Sequence, residues 1–116
     1  MKVLALIYGD ESRWQGLSDE EREEVYSRHR AFAAVAGAKL VGGGELAPTQ
    51  AATTVRVRDG ELLITDGPFA ETKEQLGGFY VLACDDLDEA TKLASQIPTS
   101  TDGPVELRVA HEEEAA

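Results

Sequence analysis

The stretch from Thr53 to Thr65, TTVRVRDGELLIT, leaves the chain few options. Asp59-Gly60 stands between two runs of alternating residues. A two-residue Asp-Gly loop is the turn whose backbone twist suits paired antiparallel strands. The pairing then sets Arg58 against Glu61, Val57 against Leu62, Arg56 against Leu63, Val55 against Ile64 and Thr54 against Thr65. Val55, Val57, Leu62 and Ile64 share one face, and Arg58 meets Glu61 as an opposite charge. A slip of one residue would undo both features, so the register is specified by the sequence itself.

Other elements are placed around this hairpin. Val3 to Tyr8 is a nearly continuous apolar run, which predicts a central strand. A loop with Trp14 and Gly16 follows. Ser18-Asp19-Glu20-Glu21 has the form of a capping box, with Leu17 in the staple position before it. Val25, His29, Phe32, Ala33 and Ala36 then recur at helical spacing, predicting a helix over 18–35 with Gly37 as its left-handed terminator. Lys39 to Leu46 reads as a second strand. Its Gly42-Gly43-Gly44 run marks a bulge or a place where something comes close to the backbone. Gly77 to Cys84 is a further strand. Asp86 caps a second helix whose buried stripe is Leu87, Ala90, Ala94 and Ile97, stopped by Pro98. Val105 to Val109 closes the chain as a strand.

The order is β-α-β, hairpin, β-α-β. This describes an α+β protein, a ferredoxin-like sandwich with helices on one face of an antiparallel sheet. A single domain over 1–110 and an acidic tail over 111–116 account for the 116 residues. Val3 to Tyr8 is apolar at successive positions, so the sheet face opposite the helices is apolar too. A bare apolar face of that size is an association surface, and a homodimer with sheets packed face to face is expected.

Charge narrows the partners. With 22 acids against 11 bases the net charge is −11, and the few Arg and Lys are scattered. Direct nucleic-acid binding needs a clustered basic patch and is not expected, nor is binding to an anionic membrane surface. No apolar run approaches the roughly 18 residues of a membrane helix. The start MKVLALIYGDE is a poor signal peptide and reads as a strand. The single cysteine, Cys84, suits the reducing cytoplasm. One cysteine and two histidines give no zinc site, and no phosphate loop, nucleophile elbow or dinucleotide fingerprint occurs. No metal and no cofactor are implied.

The segment DGPFAETKEQLGGFYVL, together with LIYGDE upstream, the GGGEL strand end and the TTVRVRDG hairpin, resembles the YCII-related proteins, in the branch named for its DGPF motif. The likeness runs from Lys2 to about Val109. It implies a dimeric α/β-barrel type of ferredoxin-like fold. It also implies two kinds of role. Some relatives are small enzymes, one of them dehydrochlorinase-like, with a His–Asp pair beside a cleft. Others are encoded beside, or fused to, sigma factors of the extracytoplasmic-function type, so sigma-factor association is a second possibility.

The candidate residues carry two readings each. Asp66 can form an Asx-type turn with Gly67-Pro68, or stand as a carboxylate at a cleft mouth that orients a histidine or acts as a base. His29 projects from the apolar stripe, either as a buried histidine with one satisfied nitrogen or as a general acid/base. Tyr8 and Asp10 end the first strand, where pocket residues gather. Gly67, Pro68 and Phe69 complete the ligand-facing motif, and Lys73 can hold an anion or simply belong to a surface charge cluster with Glu71 and Glu74. His111 belongs to the tail. Two functions follow: a module binding a small ligand or a protein, or a cofactor-independent lyase or hydrolase acting on a small aromatic or carbonyl compound through His29 and Asp66.

Overall fold

Strand β1 (Lys2–Gly9) runs through the middle of the sheet because its side chains are apolar on both faces. Val3 and Ala5 are fully buried on the helix side, while Leu4 and Leu6 are half-buried on the other. The structure, a computed structural model, describes residues 1–99 and 102–111. Of the tail expected over 111–116, only His111 falls among them, and it is exposed.

After β1 the chain does not loop. Asp10 accepts hydrogen bonds from the amides of Ser12 and Arg13 and opens a short helix, α1 (Glu11–Gln15). One turn of helix has too little periodicity to show in a sequence, which is why the segment reads as a loop. Helix α2 (Asp19–Ala36) begins at the expected capping box. Ser18 Oγ accepts from the Glu21 amide, and the Glu21 carboxylate accepts from the Ser18 amide. Its stripe of Val25, Phe32 and Ala36 is buried against the sheet. Gly37 ends the helix with φ 56° but ψ −129°, so it is not the left-handed helical residue that was expected. A 3-10 turn over Gly37–Lys39 leads into β2 (Leu40–Glu45), and a second one over Thr49–Ala51 follows that strand.

The hairpin β3 (Thr53–Arg58) and β4 (Glu61–Asp66) has the register read from the sequence, from Arg58 opposite Glu61 to Thr54 opposite Thr65. Asp59 and Gly60 have φ of 51° and 79°, as the mirror-image turn requires. The hairpin forms its own two-stranded sheet, and its apolar residues stay in solvent: Val57 is 72% exposed.

Strand β5 (Gln75–Ala83), helix α3 (Leu87–Ala94) and strand β6 (Val105–Ala110) complete the fold. Asp86 caps α3 as expected, accepting from the Glu89 amide. The helix ends at Ala94, four residues before Pro98, and its buried residues are Ala90 and Leu93. Leu87, expected in the buried stripe, is exposed. It is the first helical residue, and Leu93 takes the core position instead.

The four-stranded sheet has the order β2-β5-β1-β6, with every neighbouring pair antiparallel. The fold is therefore α+β on an antiparallel sheet, and this order is compatible with a ferredoxin-like arrangement. Phe32 and Ala36 of α2 and Ala90 and Leu93 of α3 share one core with Val3, Ala5 and Leu82. Each fully buried Leu or Val contributes roughly 1.5–3 kcal/mol against exposure. No helix of the described residues is long and apolar enough to cross a membrane. The Cα radius of gyration is 16.3 Å, against about 13 Å for a compact chain of this length. The excess fits a hairpin that stands off the sheet.

Candidate functional site

The triple glycine of β2 lies beside β5 in the sheet. The β2–β5 register shifts between Leu40 and Gly42, so the expected bulge is present. The close approach is present as well. A Cβ on Gly43 would lie 2.7 Å from the Phe79 carbonyl oxygen and 2.8 Å from Tyr80 Cδ1. With no side chain there, the Tyr80 ring has room beside Gly43 and its hydroxyl reaches α2.

What it reaches is His29. The Tyr80 hydroxyl and His29 Nδ1 are 2.7 Å apart. Phe32, one turn further along α2, packs on the Tyr80 ring with centroids 5.1 Å apart. Both members of the pair are half-buried. Burial pushes the His29 pKa below its usual 6.5, with Arg28 adding to the effect and Glu45 opposing it. Burial pushes the Tyr80 phenol up. Imidazole and phenol are thus both neutral at neutral pH.

His29 and Tyr80 line a cleft of about 810 Å³ between α1, α2 and the β2 and β5 side of the sheet. That size suits a small organic molecule. Further aromatic side chains form the walls. Trp14 of α1 meets Tyr26 of α2 edge-on, at 5.7 Å and 76°. Arg22 sits 5.7 Å from the Trp14 ring centre and donates to the carbonyls of Trp14 and Gln15, fastening α1 to α2. The Tyr26 hydroxyl donates to Glu45 at 3.0 Å. Glu11 accepts from the Thr49 amide and hydroxyl, and the Glu11 amide donates to Gln75. These bonds hold the mouth of the cleft together.

Of the residues singled out from the sequence, His29, Tyr8 and Asp10 come together on this cleft. Asp10 is occupied as the cap of α1, and its Ser12 hydroxyl partner, with the Arg13 amide, holds its carboxyl below the usual range. Tyr8 hydroxyl lies 3.4 Å from Glu106 on β6. Asp66, Gly67, Pro68, Phe69 and Lys73 do not line the cleft of their own chain. They follow the hairpin, all exposed save the half-buried Gly67, and Phe69 is 79% exposed. The turn there is held by backbone groups: the Gly67 amide donates to the Ala52 carbonyl, and the Thr54 hydroxyl donates to the Gly67 carbonyl. Within the chain, the partner of His29 is thus a phenol. Tyr80, Tyr26, Trp14 and Glu45 were not marked by sequence reasoning. For Tyr80 a signal existed, since it shares the helix-facing parity of β5 with Leu82. Among the described residues, no three His, Cys, Asp or Glu side chains converge as metal ligands would.

An antiparallel sheet backed by one long and one short helix, with an aromatic cleft beside a glycine strand, defines a small α+β protein. The chain belongs to the YCII-related domain family, whose profile it matches over residues 1–112. It is similar to an uncharacterised protein of Rhizobium meliloti (strain 1021), with 44% identity over 99 residues. That match covers 84% of this chain and 80% of the relative.

Proposed function

We propose that this chain is a small-molecule-binding protein that works as a homodimer and takes its ligand in the cleft beside His29. One observation carries the reading. A cleft of about 810 Å³ has aromatic walls and a few polar groups, among them a neutral imidazole held by Tyr80. Concave, mainly apolar sites with few convergent polar groups are where proteins bind small ligands.

The dimer rests on exposed apolar surface. Leu4, Leu6, Phe79 and Val81 stay half-exposed on the sheet face away from the helices, and the hairpin's Val55, Val57, Leu62 and Ile64 have no cover within the chain. An isolated two-stranded ribbon is only marginally stable in water, so these side chains favour a second copy as the cover.

A second reading, an acid–base enzyme of the dimeric α/β-barrel type, is favoured by the perturbed histidine in the cleft. In that version His29 acts with Tyr80 as its partner, since Asp66 does not line the same cleft. Thermal-shift screening with uncharged aromatic and carbonyl compounds tests the binding reading. A ligand in excess over its Kd raises the melting temperature of the wild type and not of a Tyr26→Ala, Tyr80→Ala double variant. Equal shifts in both proteins would place binding elsewhere and end the reading.

A further inference from the structure

The polar side chains around the cleft are nearly all engaged within the chain. Glu11 is bound to Thr49, Gln75 to the Glu11 amide and the Thr72 carbonyl, and Glu45 to the Tyr26 hydroxyl. Arg22 is committed to two backbone carbonyls and lies over Trp14. Asp10 caps α1. His29 differs. Its Nδ1 has the Tyr80 hydroxyl, and among the described residues its Nε2 has no partner. Yet no polar side-chain atom of a residue that is not exposed is both sealed from solvent and unbonded among those residues. Nε2 is therefore open to solvent, on a residue that lines the cleft.

The direction of the 2.7 Å bond fixes the ring's chemistry. A phenol is a good donor and a weak acceptor, while an unprotonated imidazole nitrogen is a good acceptor. Tyr80 then donates to Nδ1, and the ring proton stays on Nε2. A histidine's second nitrogen is set by the bond its first one makes.

We infer that Tyr80 is a positioning residue that holds His29 as an Nε2–H donor aimed into the cleft, and that the site takes an uncharged, planar compound carrying one oxygen acceptor, such as an aryl carbonyl. This rests on the binding role given to the cleft above and names its ligand class. An anion is disfavoured because Asp10, Glu11 and Glu45 line the wall, and the one arginine there points its Nε and Nη2 donors at backbone carbonyls. A cation finds the face of Trp14 already taken by Arg22, and those carboxylates already bonded within the chain.

Two measurements on the full chain test this. Long-range ¹H–¹⁵N spectra of the histidine rings at pH 7.5 read the first part without any ligand. In the wild type, His29 should show protonated Nε2 and a hydrogen-bonded Nδ1. In Tyr80→Phe, which keeps the ring that packs on Phe32, the Nδ1 resonance should move to that of a free imidazole nitrogen. A proton on Nδ1 in the wild type, or identical spectra in the two proteins, would overturn the role of Tyr80 alone. The second part uses acetophenone, benzylamine and inorganic phosphate as probes. Acetophenone should shift the His29 Nε2 resonance and bind at least tenfold more weakly to His29→Ala. A stronger response to phosphate or benzylammonium overturns the ligand class. Silence from all three probes overturns that class and the binding role beneath it, while leaving the result for Tyr80 standing.

Discussion

Gly43→Ala puts the central geometry under direct strain. The new Cβ would lie 2.7 Å from the Phe79 carbonyl oxygen, 2.8 Å from Tyr80 Cδ1 and 3.4 Å from Tyr80 Cα. Two of these contacts are with the backbone of β5, which cannot swing aside as a flexible side chain can, so β2 and β5 must separate locally. Overpacking of this kind costs about 1–3 kcal/mol. The alanine also narrows the unfolded ensemble, which returns about 0.4–1 kcal/mol because Gly43 does not need positive φ. The net loss is about 1–2 kcal/mol, or a melting temperature roughly 4–8 °C lower for a chain of this size. Neighbouring glycines serve as controls. A Cβ on Gly42 would meet only the Val81 side chain, at 3.5 Å, and one on Gly44 only the Phe79 ring, at 3.5 Å. Gly42→Ala and Gly44→Ala should leave the melting temperature unchanged or slightly raised. Thermal unfolding by circular dichroism at one fixed protein concentration makes the comparison. If the three variants melt together, the close approach of Tyr80 to β2 is wrong, and the way His29 acquires its partner is wrong with it.

Gly60→Val should cost on the order of 1–2 kcal/mol within the hairpin, because a β-branched residue resists the φ of 79° found there. Since β3–β4 forms its own sheet, the loss should appear as roughly tenfold faster amide exchange over 53–66 and only a small change in overall melting. Stability should fall as pH drops below about 6.5, because unfolded His29 takes up a proton there while the folded, desolvated ring resists it. Above that pH the contribution is flat. His29→Gln should lose the slope in denaturant titrations between neutral and mildly acidic pH, and an unchanged slope would contradict the burial of the ring. Sedimentation equilibrium at micromolar concentration should give a mass near twice the 12.5 kDa of one chain, and a clean monomer would remove the dimer from the proposal.

Local chemistry was legible in the sequence wherever a few adjacent residues decide the outcome. The Asp59-Gly60 turn and its register, the Ser18–Glu21 capping box and the Asp86 cap each depend on groups at most a few positions apart or on strict alternation. The glycine run was legible as a bulge or a close approach, and it proves to be both. The short helix α1 was not, because five residues give no periodicity and its cap, Asp10, looked like a strand end. Nor was the partner of His29. Tyr80 lies 51 residues away; its parity with Leu82 marks it as helix-facing, but which helical residue it meets is a tertiary fact. The motif around Asp66 is a conspicuous string of letters, but in its own chain it sits on an exposed segment apart from the cleft. Sequence salience and cleft position part company there.

The binding role of the cleft is tested most directly by titrating ¹⁵N-labelled protein with acetophenone and following the backbone amides. Gly43, Gly44, Gly77 and Gly78 line the cleft, and glycine amides fall in an uncrowded part of the spectrum. These four signals should move together with those of His29 and Tyr80, on a single saturating curve. Still glycines beside moving signals from the hairpin, or shifts scattered without saturation, would show that the cleft is not the binding site.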